Sequence, residues 1–156
     1  MRGKKPSNPS ADVKLPSQPG CYSLIISLRR KKTIRVGKLG LARFPKGKYV
    51  YTGSAMKGLA ARLARHLSRR KTLHWHIDHL LKLPEARVDK VIVYPPAPNQ
   101  ECRQNQRIAA LSGAAVVLKR FGASDCKSGC RSHLYFFRLQ SPSGVLSRKF
   151  VKEVGT

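Results

Sequence analysis

"KYVYTGSAMKGLAARLARH", Lys48 to His66, is the stretch whose reading decides the fold. In "KYVYTG" the residues alternate, with Tyr49 and Tyr51 on one face and Val50 on the other, as a strand requires. Thr52, Gly53 and Ser54 then read as a tight turn. Beyond it Leu59, Leu63 and Leu67 recur at fourfold spacing, which predicts a helix with a core-facing leucine stripe. Arg62 and His66 stand one turn apart at the edge of that face. Two phenols, a guanidinium and an imidazole are thus expected along one strand, turn and helix.

Working outward, "GCYSLIISL" (Gly20 to Leu28) is β-rich and mostly apolar and predicts a strand. "RRKK" makes a turn and "TIRVG" returns as a second short strand. "KLGLARFPKG" reads as irregular, broken by Gly40, Pro45 and Gly47. "TLHWHIDHLLKLP" predicts a helix capped by Thr72 and ended before Pro84. "ARVDKVIVYPP" supplies another strand, and "NQECRQNQRIAALSG" a helix with Asn99 as N-cap and Gly113 as its stop. "AAVVLKRFG" is a short apolar run leading into a loop, and "HLYFFRL" a final strand. The order β-β-β-α-α-β-α-β implies one α/β (α+β) domain, with a small mixed or antiparallel sheet flanked by about three helices. Residues 1–18 read as a flexible basic lead-in, 19–140 as the domain and 141–156 as a C-terminal extension.

With 156 residues and 41% apolar content, the chain can bury the core of one domain and little more. Its charge is extreme: 32 Lys and Arg face seven acids, a net +25. Such self-repulsion is relieved by a polyanion. Nucleic acid is the first candidate, because neutralised phosphates release condensed counterions. A membrane surface fits less well, since no long amphipathic helix with a bulky apolar face is visible. No stretch reaches the roughly 18 consecutive apolar residues of a span. The N-terminus lacks the apolar segment of a secretory signal, so the cytoplasm, or the nucleoid when DNA is bound, is the expected compartment. There, Cys21, Cys102, Cys126 and Cys130 are expected as reduced thiols or metal ligands, not disulfides.

Two clusters invite a metal. In "HWHIDH", helical spacing puts His74 and Asp78 on a different face from His76, so His76 reads as a substrate-side residue and Trp75 as core. The loop "CKSGCRSH" offers Cys126, Cys130 and His133, with Asp125, and three such ligands in eight residues could hold zinc. The spacing is looser than paired C-x-x-C knuckles and a fourth ligand is not obvious. Cys102 is conceivable, in competition with a metal at the adjacent Glu101. Thiols buried in a turn are the favoured reading of this loop.

Three features in order resemble the GIY-YIG nuclease superfamily: "GCY" (Gly20 to Tyr22) opening the first strand, "YTG" (Tyr51 to Gly53) ending a later one, and Arg62 followed one turn on by His66. A Glu opening a later helix completes the pattern, and Glu101 in "NQECRQ" occupies that place. The similarity covers residues 20 to 112. "LHWHIDHL" and "FGASDCKSGCRSHLYFF" resemble one branch of the superfamily, small prokaryotic proteins of uncertain function, and extend it to about residue 139. Cys21 and Thr52 stand where the family has isoleucines, and an additional strand and loop separate Tyr22 from Tyr51.

The resemblance implies a GIY-YIG-like single domain acting as a metal-dependent endonuclease on DNA, directed by structure more than by sequence. Its implied catalytic residues are Tyr22, Tyr51, Arg62, His66 and Glu101, with Glu101 as ligand to magnesium or manganese. The chemistry suits the residue types. Magnesium accepts one carboxylate, waters and the phosphate itself, and a planar guanidinium suits phosphate charge. A free phenol near pKa 10 needs neighbouring cations to act as a base, and a metal-activated water competes for that role. Arg65, Arg69, Arg70, Lys71, His76, Arg103 and Arg107, with Lys119, Arg120 and Arg131, would line the nucleic-acid groove. Aromatics are too few for a single-strand stacking platform, so phosphate contacts to duplex or branched DNA are expected, with RNA left open. The alternative is a non-cleaving binding module or an accessory to DNA repair with a repair-protein partner. In either reading the chain is expected to be a monomer.

Overall fold

The computed structural model describes residues 17–124 and 126–138. Most of the expected basic lead-in, Asp125 and the C-terminal extension lie outside the described residues.

A four-stranded antiparallel sheet forms the centre, in the order β5 (Ala86–Tyr94), β1 (Gly20–Leu28), β4 (Gly47–Ala55), β6 (Leu134–Phe137). A separate hairpin pairs β2 (Lys32–Arg35) with β3 (Leu41–Phe44). Among the described residues three α-helices complete the fold: α1 (Leu59–Leu67), α2 (His76–Leu81) and α3 (Gln100–Ala109). This is a small α+β domain, as the pattern of the sequence predicts.

β1 is central because both of its faces are apolar. Tyr22, Leu24, Ile26 and Leu28 point into a core shared with Tyr49 and Tyr51 of β4, Leu59 and Leu63 of α1, and Ile77 and Leu80 of α2. Cys21 and Ile25 point the other way, with Val50, Tyr135 and Ile108 of α3. The sheet is therefore covered on both sides, by α1, α2 and the hairpin on one face and by α3 on the other. Three polar side chains on the α3 side pair with one another: Ser23 and Thr52 share a 2.8 Å hydrogen bond, and the Tyr94 hydroxyl donates to Ser23 at 2.9 Å.

Five local expectations differ from the structure, the first being the end of α3, which stops at Ala109 rather than at Gly113. Thr52, Gly53 and Ser54 are not a turn but the last part of β4, with Gly53 opposite Tyr22 and Tyr51 opposite Leu24. "KLGLARF" is not irregular throughout: a short 3-10 turn at Gly37–Leu39 leads into β3. Leu67 is 38% exposed and leaves the leucine stripe, while His66 takes the buried position. α2 starts at His76 rather than Thr72, because the Asp78 carboxylate accepts from the amides of His74 and Trp75 at 2.9 and 2.8 Å and fixes the first turn there. Asn99 does occupy the N-cap position of α3, but in the left-handed region (φ 54°) and without a side-chain cap bond.

Candidate active site

β1, β4 and α1 bring the two tyrosines and His66 together. The inserted hairpin does not separate Tyr22 from Tyr51; their ring centroids lie 6.4 Å apart. The Tyr22 hydroxyl is 2.6 Å from His66 Nε2, and the His66 ring meets Tyr51 edge-on at 6.2 Å. Gly53 makes this possible. A Cβ there would sit 2.7 Å from the Tyr22 hydroxyl and 3.1 Å from the Tyr51 ring. Only a residue without a side chain lets both phenols lie across that point of the strand.

Burial sets the protonation of this trio. Tyr22 is fully buried, and desolvation pushes its phenol up against the smaller opposing pull of Arg62. Tyr51 is raised well above its ordinary value by burial, with Tyr22 and Glu101 adding to it. His66 is pushed down to about 3 by burial, against Asp78 and together with Lys71, Arg62 and Arg65. Both phenols thus keep their protons and the imidazole is neutral near pH 7. The cations that would have had to make a phenol basic are outweighed by desolvation. These groups can donate and orient hydrogen bonds, but no phenolate is prepared.

Arg62 comes from the first turns of α1. Its guanidinium donates to the Ser54 carbonyl at 3.2 Å and lies 4.0 Å over the Trp75 ring, whose neighbourhood Arg65 shares at 4.2 Å. Ser54 is the hinge of the constellation and was not singled out by sequence reasoning. Its carbonyl takes Arg62, and its hydroxyl donates to Glu101 Oε2 at 2.8 Å. The sign that could have found it is its place directly after Tyr51-Thr52-Gly53, on the alternate face of the same strand. Glu101 therefore reaches the end of β4 from the α3 side, while the phenols occupy the α1 side. It joins the group through Ser54, and its charge is felt by both phenols.

Glu101 has a second partner. His133 Nδ1 lies 3.2 Å from Glu101 Oε1, and behind His133 stand Cys102, Cys126 and Cys130. The ligand atoms of these four residues lie within 4.8 Å of one another. Cys102 supplies the fourth member that the loop alone lacked. Burial works to raise Cys126, but the amides of Cys130 and Ser128 and the His133 ring outweigh it and bring the thiol down to about 6. His133 is lowered by burial and raised more by Glu101 and the two thiols, to about 9. A cluster of four soft and borderline ligands can hold a metal ion. The alternative cluster in "HWHIDH" does not assemble. Asp78 is spent on Arg65, at 2.8 and 2.9 Å, and His76 Nδ1 accepts from the Gly122 amide at 2.9 Å. Trp75, as expected, packs against the core.

The basic residues divide. Arg65 commits its donors to Asp78 and the Thr72 carbonyl, and Lys71 donates to the carbonyls of Arg65 and His66 at the end of α1. These two hold the fold together. Arg69 reaches the Ala86 carbonyl at 3.4 Å but stays exposed, as do Arg70, Arg103, Arg107, Lys119, Arg120 and Arg131. A further basic surface was not anticipated. An open hollow of about 1110 Å³ runs along the β2–β3 hairpin, lined by Arg29, Arg30, Lys31, Lys32, Arg43 and Lys46. Among the described residues no helix is long and apolar enough to cross a membrane.

Against known proteins, residues 21–155 match the family described as "Domain of unknown function DUF123". No curated protein and no solved structure matches the chain.

Proposed function

The chain belongs to the DUF123 domain family, and we propose that it is a phosphodiesterase of the GIY-YIG nuclease kind, hydrolysing DNA with the help of a divalent cation. The observation that carries this reading is the meeting of Tyr22, Tyr51, His66, Arg62 and Glu101 at one end of β4, from three parts of the sequence, with Ser54 linking the last two. A merely stable fold has no need to gather them.

The donor set around Glu101 suits a hard cation. Among the described residues, Asp78, Asp89 and Glu85 each pair with lysine or arginine, whereas Glu101 is held by a serine and a histidine and stays partly open to solvent. A hard divalent cation on that carboxylate would supply charge neutralisation and a more acidic water. Arg62 holds the scissile phosphate and stabilises charge gathering on its oxygens. The phenols of Tyr51 and Tyr22, kept protonated by burial, donate hydrogen bonds that orient water or phosphate. His66 fixes the Tyr22 hydroxyl. The exposed arginines and the basic hairpin hollow hold the flanking backbone through phosphate contacts, without base readout.

A second reading, a DNA-binding module that does not cleave, draws on one specific observation. Both phenols are buried and raised, and Glu101 reaches the group through Ser54 from the opposite face of the sheet. The test is cleavage of labelled single-strand, duplex, flap, fork and plasmid DNA, with magnesium, with manganese and with chelator. The nuclease reading expects metal-dependent cuts in at least one substrate. Tight, salt-sensitive binding without cuts under either metal would establish the second reading instead.

A further inference from the structure

We infer that Cys102, Cys126, Cys130 and His133 form a closed Cys3His zinc site that ties the start of α3 to the loop preceding β6. This assignment does not depend on the nuclease reading. Four independent features support it.

The first is geometry. Tetrahedral zinc with sulfur at about 2.3 Å separates neighbouring sulfurs by about 3.8 Å. Cys102 Sγ and Cys126 Sγ lie 3.6 Å apart, and all four ligand atoms fall within 4.8 Å of one another. A disulfide would need about 2.05 Å, so the pair is spaced for a shared ion rather than for a bond.

The second is an orphaned atom. His133 is 3% exposed, its Nδ1 faces Glu101, and its Nε2 is buried with no hydrogen-bond partner. Leaving a buried imidazole nitrogen unpaired is costly. Coordination removes that cost. The carboxylate on the far nitrogen is the partner that metal-bound histidines usually have, fixing the tautomer and the ring plane.

The third is the local backbone. The loop from Cys126 to Cys130 carries Gly129 at φ +76°, a left-handed turn that lets the chain curl back between the two thiols. The fourth is chemistry. Three thiols and an imidazole select zinc over magnesium or calcium, and four protein ligands leave no open position for a substrate. The role is structural. With no described helix or strand between α3 and β6, cross-linking Cys102 to the loop holds His133, and through it the Glu101 carboxylate, in place.

The test uses the full chain, purified reduced and without chelator, with its zinc measured by atomic emission. The metal-free protein is then titrated with Co2+ and read by visible absorption. We expect one zinc per chain and a tetrahedral cobalt spectrum with a thiolate-to-metal band that added Zn2+ abolishes. Cys130→Ser and Cys126→Ser lose stoichiometric zinc. Cys21→Ala, which alters a cysteine that is not one of the four ligand residues, retains it. The cobalt spectrum of the unaltered chain stands even where a variant folds poorly. A reduced chain giving no thiolate-to-cobalt band overturns the inference. So does a Cys102–Cys126 disulfide in the freshly purified protein, or zinc that survives in Cys130→Ser and is lost in Cys21→Ala.

Discussion

On the β4 side of Glu101 stands a group taken largely from one short run of chain; on the other stands a cluster drawn from positions 102, 126, 130 and 133. The first lies along a strand and the helix that follows it. Period-2 and period-3.6 spacing therefore place Tyr51, Arg62 and His66 together before any tertiary contact is known. The second requires α3 to meet a loop far along the chain. No local period encodes that meeting. The two regions also differ in chemistry. One offers phenols, a guanidinium, an imidazole and a single carboxylate; the other offers three thiols and an imidazole. Their difference teaches that two chemically distinct groups can share one boundary residue: Glu101 takes the Ser54 hydroxyl with one oxygen and faces His133 with the other, while its neighbour Cys102 faces Cys126.

The largest expected effect lies on the β4 side. Arg62→Ala should lower cleavage about 10²- to 10³-fold, the usual loss when one charge-stabilising donor is removed. Circular dichroism should remain native, because the guanidinium gives the fold one 3.2 Å bond and a place against Trp75. Loss of rate with loss of fold would move Arg62 from the site to the scaffold.

Next comes Gly53→Ala. Its Cβ would press on Tyr22 and Tyr51 at 2.7 to 3.1 Å, and both rings are packed. Overpacking of this kind costs about 1–3 kcal/mol, readable as a lower urea midpoint. An unchanged midpoint would mean that the phenols have room to separate.

Acid sensitivity should follow His66. With a folded value of about 3 against an ordinary 6.5, the unfolded chain binds the extra proton between those limits. Its contribution is therefore intact above pH 6.5 and is lost as pH falls toward 3, by up to about 1.4 kcal/mol per pH unit. His66→Phe should flatten the stability profile across that window. A profile unchanged by the substitution would show that His66 is not held neutral.

How much of this was legible in the sequence depends on which force decided each element. β1, β4 and β5 were readable because their apolar alternation or runs survive folding unchanged. β3 was not, since a four-residue strand of a two-stranded hairpin, opening on an exposed leucine and bounded by Gly40 and Pro45, carries no such pattern. In the sequence Gly53 reads as a turn because glycine has two uses. Here the crowding of Tyr22 and Tyr51 across the strand, and not a bend, demands it. Leu67 was assigned to the core on its spacing, but the Tyr22 hydroxyl draws His66 inward instead. Cys102 could not be joined firmly to the loop cysteines, because only the path of the chain after α3 brings them together. The smallest predicted effect tests this lesson: Leu67→Lys should change stability by less than about 0.5 kcal/mol, as an exposed substitution does. A cost of several kcal/mol by urea denaturation would restore Leu67 to the core stripe.

The most direct measurement is the single-turnover cleavage rate of a flap DNA, unaltered chain beside Glu101→Ala, before and after adding magnesium, with zinc content read on the same samples. The account predicts cleavage only in the unaltered chain and only after magnesium is added. A Glu101→Ala protein that cuts at the unaltered rate, or an unaltered, zinc-loaded chain that cuts nothing with magnesium or manganese, would contradict it.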